Sequence, residues 1–146
     1  MRKVATLAVT ASVAAALLTS PTPSAHAVPH WNKRVKCEET DPDDRAIPTR
    51  TGNHELGWSH FSGKHNIKKC KIVNAALAGR VDKKNGARLE YWAHAINGGR
   101  QVKIVVIVQY ARKTADGVYD AGRGQKIGVI TAYCKGTNRC PDWVNE

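Results

Sequence analysis

Downstream of residue 66 the apolar positions follow two different periods. Ile67, Cys70, Val73, Ala76, Leu77 and Val81 recur at intervals of three and four, which predicts an amphipathic helix over 67–81 with Gly79 near its end. Lys68, Lys69, Lys71 and Arg80 fall mostly on the opposite face, and Cys70 sits on the apolar side as a buried half-cystine would. Strand-like spacing follows. Residues 88–96 are rich in aromatic and apolar side chains, and Asn97-Gly98-Gly99 after them is a hairpin signal. The run Ile104-Val105-Val106-Ile107-Val108 has no polar face and predicts a central strand buried on both sides. A third strand is expected over 127–134, with Ile127, Val129, Thr131 and Tyr133 on one face and Ile130, Ala132 and Cys134 on the other. Between the last two strands, residues 112–126 are rich in glycine and basic side chains, with room for a short strand at Val118-Tyr119. Loops of that length in compact domains are often functional. The pattern is that of an α+β domain over 57–146, its N-terminal helix packed on an antiparallel sheet of three to four strands.

The upstream part reads differently. Residues 28–56 are poor in apolar side chains and contain Pro29, Pro42 and Pro48, and five of the twelve carboxylates lie within 38–44. An irregular arm is expected, held by Cys37 and Trp31, with the acidic cluster as a solvated loop. Residues 1–27 have the form of a secretory signal peptide: Arg2 and Lys3, an alanine-rich apolar run over 4–18, and the A-x-A site Ala25-His26-Ala27, with cleavage after Ala27. No later stretch approaches the roughly 20 apolar residues of a membrane helix. A secreted, monomeric, single-domain mature protein is expected.

Charge narrows the partners. Of 23 basic residues, setting aside Arg2 and Lys3 leaves 21 against 12 acidic ones, a net charge of +9. That excess favours nucleic acid, an anionic membrane face or an acidic protein, although charge alone is equally a solubility device. All four cysteines, Cys37, Cys70, Cys134 and Cys140, lie in the mature part. In an oxidising compartment two disulfides are the default, with three connectivities open. The closeness of Cys134 and Cys140 favours a local loop, leaving Cys37 to pair with Cys70. Neither C-x-x-C nor a histidine pair at similar spacing is present, so neither metal nor cofactor is expected.

The densest chemistry lies in Gly57-Trp58-Ser59-His60-Phe61-Ser62-Gly63-Lys64-His65-Asn66-Ile67. Histidine accepts and donates protons near neutral pH without large tuning. RNA cleavage without metal needs little more: a base to deprotonate the 2′-hydroxyl, an acid for the departing 5′-oxygen, and cationic or hydroxyl donors for the crowded phosphate. His65 with adjacent Lys64 supplies a proton carrier and a cation, and Thr131 and Tyr133 share a strand face from which hydroxyls could reach phosphate oxygens. Trp58 and Phe61 read as packing, and His94 as a partly buried structural histidine beside Trp92 and Ile96.

The order of these pieces is similar to that of the barnase–EndoU–colicin–RelE (BECR) ribonucleases. Ser59-His60-Phe61, then Lys64-His65, a helix, a hairpin, and a last strand reading Gly128-Val129-Ile130-Thr131-Ala132-Tyr133 most resemble the toxin branch, where a Lys-His or Arg-His pair opens the domain and an Ile-Thr-Ala-Tyr strand closes it. The resemblance covers about 57–134. It implies a small cofactor-free RNase fold with catalytic residues falling on His65, Lys64, Thr131 and Tyr133, with His60 as a less regular match. For a further basic residue it points loosely to Arg112, at the end of the central strand, ahead of Arg123. It also implies an RNA substrate, a 2′,3′-cyclic phosphate product and an acidic immunity protein as partner. The arm, the four cysteines and the tail after Cys134 lie outside that pattern. The competing expectation is a non-catalytic, disulfide-stabilised basic binding or inhibitor protein, which the charge and cysteines fit equally well.

Overall fold

The computed structural model describes residues 27–146, so the expected signal peptide lies, apart from Ala27, outside the described residues. Strands β1 (Asn32–Thr40) and β2 (Ala46–Gly52) form an antiparallel hairpin. Two short helices follow, α1 (Trp58–Lys64) and α2 (Cys70–Leu77). Strands β3 (Lys83–Asn85), β4 (Arg88–Asn97), β5 (Arg100–Gln109) and β6 (Gly128–Cys134) then pair antiparallel in simple sequence order, and a 3₁₀ turn, Asp142–Asn145, ends the chain. The protein is therefore α+β, with two helices on antiparallel sheets. No helix among the described residues is long and apolar enough to cross a membrane.

The strand β5 lies between β4 and β6, and Ile104 to Val108 are all buried. Ile104, Val106 and Val108 enter the main core with Leu89 and Tyr91 of β4, Val129 and Ala132 of β6, and Ile72, Val73, Ala76 and Leu77 of α2. Gly98 and Gly99 join β4 to β5 with φ of 55° and 80°, the left-handed pair that a two-residue hairpin turn requires.

Several expectations are corrected. The segment 28–56 is not an irregular arm. Nearly all of β1 is exposed, so hydrophobic periodicity does not reveal it; what orders it is pairing with β2, where Ile47, Thr49 and Arg50 are buried. Asp41 in the intervening turn is buried rather than solvated: it accepts hydrogen bonds from the Tyr91 hydroxyl at 2.7 Å and Arg45 Nε at 2.8 Å. Burial alone would raise its carboxyl, but those donors hold it below its ordinary pKa. The helix expected over 67–81 occupies only Cys70–Leu77: Lys69 is extended, with φ −128° and ψ 131°, and the left-handed Asn66, φ 61°, separates this segment from α1; Ile67 remains fully buried outside the helix. On β6 the faces change partway. Val129 pairs with Val108 and Thr131 with Ile107, so Ile130 is an extra residue in a bulge. Val129 therefore joins Ala132 and Cys134 in the core, while Thr131 and Tyr133 face the other way.

Both disulfides are present, Cys37–Cys70 and Cys134–Cys140. The first ties β1 to the start of α2; the second closes a loop after β6. Residues 112–126 fold back through a single bridge, Lys113 to Asp120. They also contribute Tyr119 and Ala121 to a second small core with Trp31, Leu56 and Ile127. His94 is exposed rather than partly buried.

Candidate active site

Helix α1 is held at its start by a backbone requirement. Gly57, at φ 79°, donates its N–H to the Ile130 carbonyl at 2.9 Å, and a Cβ there would lie 2.7 Å from the Arg50 carbonyl oxygen. The β6 bulge thus receives the residue that caps the helix, and Phe61, fully buried, fixes the rotation of α1 against the core. Trp58 packs edge-on against Phe61 with ring centroids 5.4 Å apart. This rotation leaves His60 part-exposed one turn before Lys64, and His65 immediately after the helix.

The two imidazoles meet at the outer face of β6. Their ring centroids are 5.4 Å apart, and His65 lies 6.0 Å from the Tyr133 ring. With Thr131 and Tyr133 they line an open cleft of about 770 Å³, whose remaining wall is Cys134 and the disulfide loop residues Gly136, Thr137 and Asn138. No carboxylate lines this cleft among the described residues. The Thr131 hydroxyl is buried and has no hydrogen-bond partner among the described residues, although most buried polar groups are paired.

Each imidazole is oriented by a backbone carbonyl. His60 Nδ1 lies 2.7 Å from the His54 carbonyl oxygen, and His65 Nδ1 lies 3.0 Å from that of Asn138. A carbonyl only accepts, so both Nδ1 atoms carry hydrogen and donate it, which assigns each Nε2 as the exchangeable position of the neutral ring. Partial burial pushes the His60 pKa below the ordinary histidine value. Its bond to His54 opposes this, while the charges of His65 and Lys64 lower it further.

Asn66 secures the loop that holds His65. It is fully buried, and its Nδ2 donates to the Cys140 carbonyl at 2.9 Å and to Asp142 Oδ1 at 2.8 Å. Its Oδ1 accepts from Arg139 at 3.1 Å, and the Cys140 N–H donates to the His65 carbonyl at 2.9 Å. Asparagine suits this place because it tolerates the left-handed backbone better than other residues with a side chain.

Of the six residues singled out from the sequence, His60, His65, Thr131 and Tyr133 surround one cleft. Lys64 is exposed on the last turn of α1 and does not line it, although its charge reaches His60. Arg112 lies elsewhere: its Nε and Nη2 donate to Asp120 at 2.8 and 2.7 Å, beyond the Gly128 end of the β5–β6 ladder. The wall formed by residues 136–138 carries no side chain that its chemistry singles out in the sequence. The signal that could have found it is the six-residue separation of Cys134 and Cys140 at the end of the strand carrying Thr131 and Tyr133. The chain matches neither a protein-family model nor a curated protein.

Proposed function

We propose that the protein is a secreted, metal-independent endoribonuclease of the BECR type, acting as a toxin against competing cells. The observation that carries this reading is the pair of imidazoles, each held by a carbonyl at Nδ1, facing Thr131 and Tyr133 across one carboxylate-free cleft. Two disulfides suit an oxidising, extracellular setting. The net positive charge suits both RNA and an acidic immunity protein.

The chemistry follows from the assignments. His60, kept neutral by its lowered pKa, takes the 2′-hydroxyl proton at Nε2. The 2′-oxygen forms its bond to phosphorus as the bond from phosphorus to the 5′-oxygen breaks. His65, entering the step as the imidazolium, gives the proton on its Nε2 to that leaving oxygen, producing a 2′,3′-cyclic phosphate and a free 5′-hydroxyl. The Tyr133 hydroxyl and, once its side chain turns into the cleft, the unpaired Thr131 hydroxyl donate to the phosphate oxygens as charge builds, and Lys64 adds positive potential that reaches His60. Water returns the two imidazoles to their starting protonation.

The direct test is incubation of the mature protein with total RNA in EDTA, beside His60→Ala and His65→Ala. Cleavage by the wild type to cyclic phosphate ends, with a loss of about 10²-fold or more in each variant, is expected. No cleavage, or equal cleavage by all three, overturns the reading. RNA binding without cleavage would favour the non-catalytic binding protein instead.

A further inference from the structure

The cleft occupies one corner of the outer sheet face, and the register of the strands shows what lies beside it. Trp92 pairs with Val105 and Val105 with Tyr133, so these three side chains form one row across β4, β5 and β6. Trp92 is thus two strands from Tyr133, about 10 Å at ordinary strand spacing. The neighbouring row pairs His94 with Lys103, and the Lys135 N–H donates to the Lys103 carbonyl. Lys83 lies across from Glu90 on the same face.

Trp92 is partly exposed and its ring is approached by ammonium groups. Lys103 Nζ sits 3.0 Å from the ring centroid and Lys83 Nζ 5.3 Å from it. An ammonium at that distance means that the ring surface it covers is reachable by polar groups and is not packed into the core. The indole N–H donates to Glu90 Oε1 at 2.5 Å, which holds the ring by its edge, and the Trp92 backbone N–H donates to Asp82 Oδ2 at 2.7 Å, which holds the strand beneath it. Glu90 also lies 3.9 Å from Lys83, whereas Lys103 has no carboxylate partner among the described residues. An aromatic ring fixed at its edge, beside an unpaired cation, is the pairing with which proteins bind unstacked bases and their phosphates.

We propose that the outer sheet face is a track for single-stranded nucleic acid, with Trp92 stacking a base of the strand whose scissile phosphate lies at His60 and His65, and with Lys103 leaving the ring to pair with a phosphate. The proposal rests on the ribonuclease reading and adds a base-binding subsite to it. Stacking on aromatic rings tolerates any base, so the subsite supplies affinity and selects single strands over duplex.

The test uses a fluorescently labelled single-stranded oligodeoxynucleotide, which lacks the 2′-hydroxyl and is not cut, and reads its dissociation constant by anisotropy. Trp92→Ala should weaken binding about ten-fold, Trp92→Phe should retain most of it, and Lys103→Gln should reduce the slope of log affinity against log salt by about 0.7. Unchanged affinity in Trp92→Ala with unchanged melting overturns the subsite, as does absence of salt-dependent binding by the wild type. If Trp92→Ala does not fold, the Phe and Lys103 variants decide: an unchanged salt slope in Lys103→Gln, or a ten-fold loss in Trp92→Phe, overturns it. The RNA assay in EDTA separates the two claims. Cleavage with Trp92-independent binding removes the subsite and leaves the nuclease; Trp92-dependent binding without cleavage removes the nuclease and leaves a nucleic-acid-binding face.

Discussion

The imidazole of His65 donates from Nδ1 to the carbonyl of Asn138, 3.0 Å away inside the loop closed by Cys134–Cys140. A side chain at the end of α1 is thereby oriented by a backbone group that no substitution of Asn138 removes. The two half-cystines are buried, so the loop is pinned at both ends to the core while Gly136, Thr137 and Asn138 stay exposed at the cleft.

Removing this bridge should therefore harm activity more than folding. A loop this small contributes about 2 kcal/mol through the unfolded chain. The paired variant Cys134→Ser/Cys140→Ser should lose about that much in urea unfolding, with Cys37–Cys70 intact. Its kcat/KM on RNA should fall on the order of 10²-fold, since displacing a reacting group by about 1 Å costs that much. Equal activity at a temperature where the variant is fully folded would detach the loop from the function of His65.

A second expectation concerns pH. The lowered pKa of His60 favours its neutral form in the folded protein. The folded state therefore binds fewer protons than the unfolded state between the folded pKa and about 6.5. The contribution of His60 to stability is complete above about 6.5 and is lost as pH falls through that window. The same shift places the acid limb of kcat/KM below the ordinary histidine value, because His60 must be neutral to act as base. Lys64→Gln removes a positive charge that helps depress His60, so the acid limb should move to higher pH, by less at high salt. A pH–rate profile of the two proteins at two ionic strengths checks both the direction and the screening.

The parts of the fold that were legible in the sequence are those decided by short-range chemistry. The β4–β5 turn follows from two adjacent glycines, and the burial of β5 from five consecutive β-branched residues. The cystine pairing follows from the sequence proximity of Cys134 and Cys140. What was not legible depends on partners. Strand β1 presents almost no buried side chain, so nothing in its own residues distinguishes it from an acidic, proline-flanked loop. The bulge at Ile130 exists only in the register against β5, and it moves Val129 to the other face from Thr131. Arg112 follows the central strand in sequence, but its partner Asp120 reaches it only through a fold-back closed by a single bridge. At the candidate site, the side chains of His60, His65, Thr131 and Tyr133 could be named in advance because each is a residue type suited to the chemistry. The His54 and Asn138 carbonyls that orient the imidazoles could not, since every residue has one.

Two glycines, one pressed against backbone and one in open space, give a contrast that activity does not enter. Gly128 opens β6 at φ 83°, and a Cβ there would lie 1.9 Å from the Pro48 carbonyl oxygen of β2. No side-chain rotation relieves a clash with backbone, so Gly128→Ala must separate the β1–β2 hairpin from the second sheet or distort β6 just before its bulge. Left-handed strain adds about 1 kcal/mol, and with the overlap a total loss of about 3 kcal/mol or more is expected. Gly63 differs in both respects: its φ is not positive, it lies within α1, and a Cβ would meet nothing within 4 Å. Gly63→Ala should accordingly stabilise the protein by about 0.5–1 kcal/mol, because alanine has less conformational freedom to lose than glycine. Urea unfolding of the two variants reads both signs, and a Gly128→Ala protein as stable as the wild type would refute the close contact between β2 and β6 that carries the hairpin.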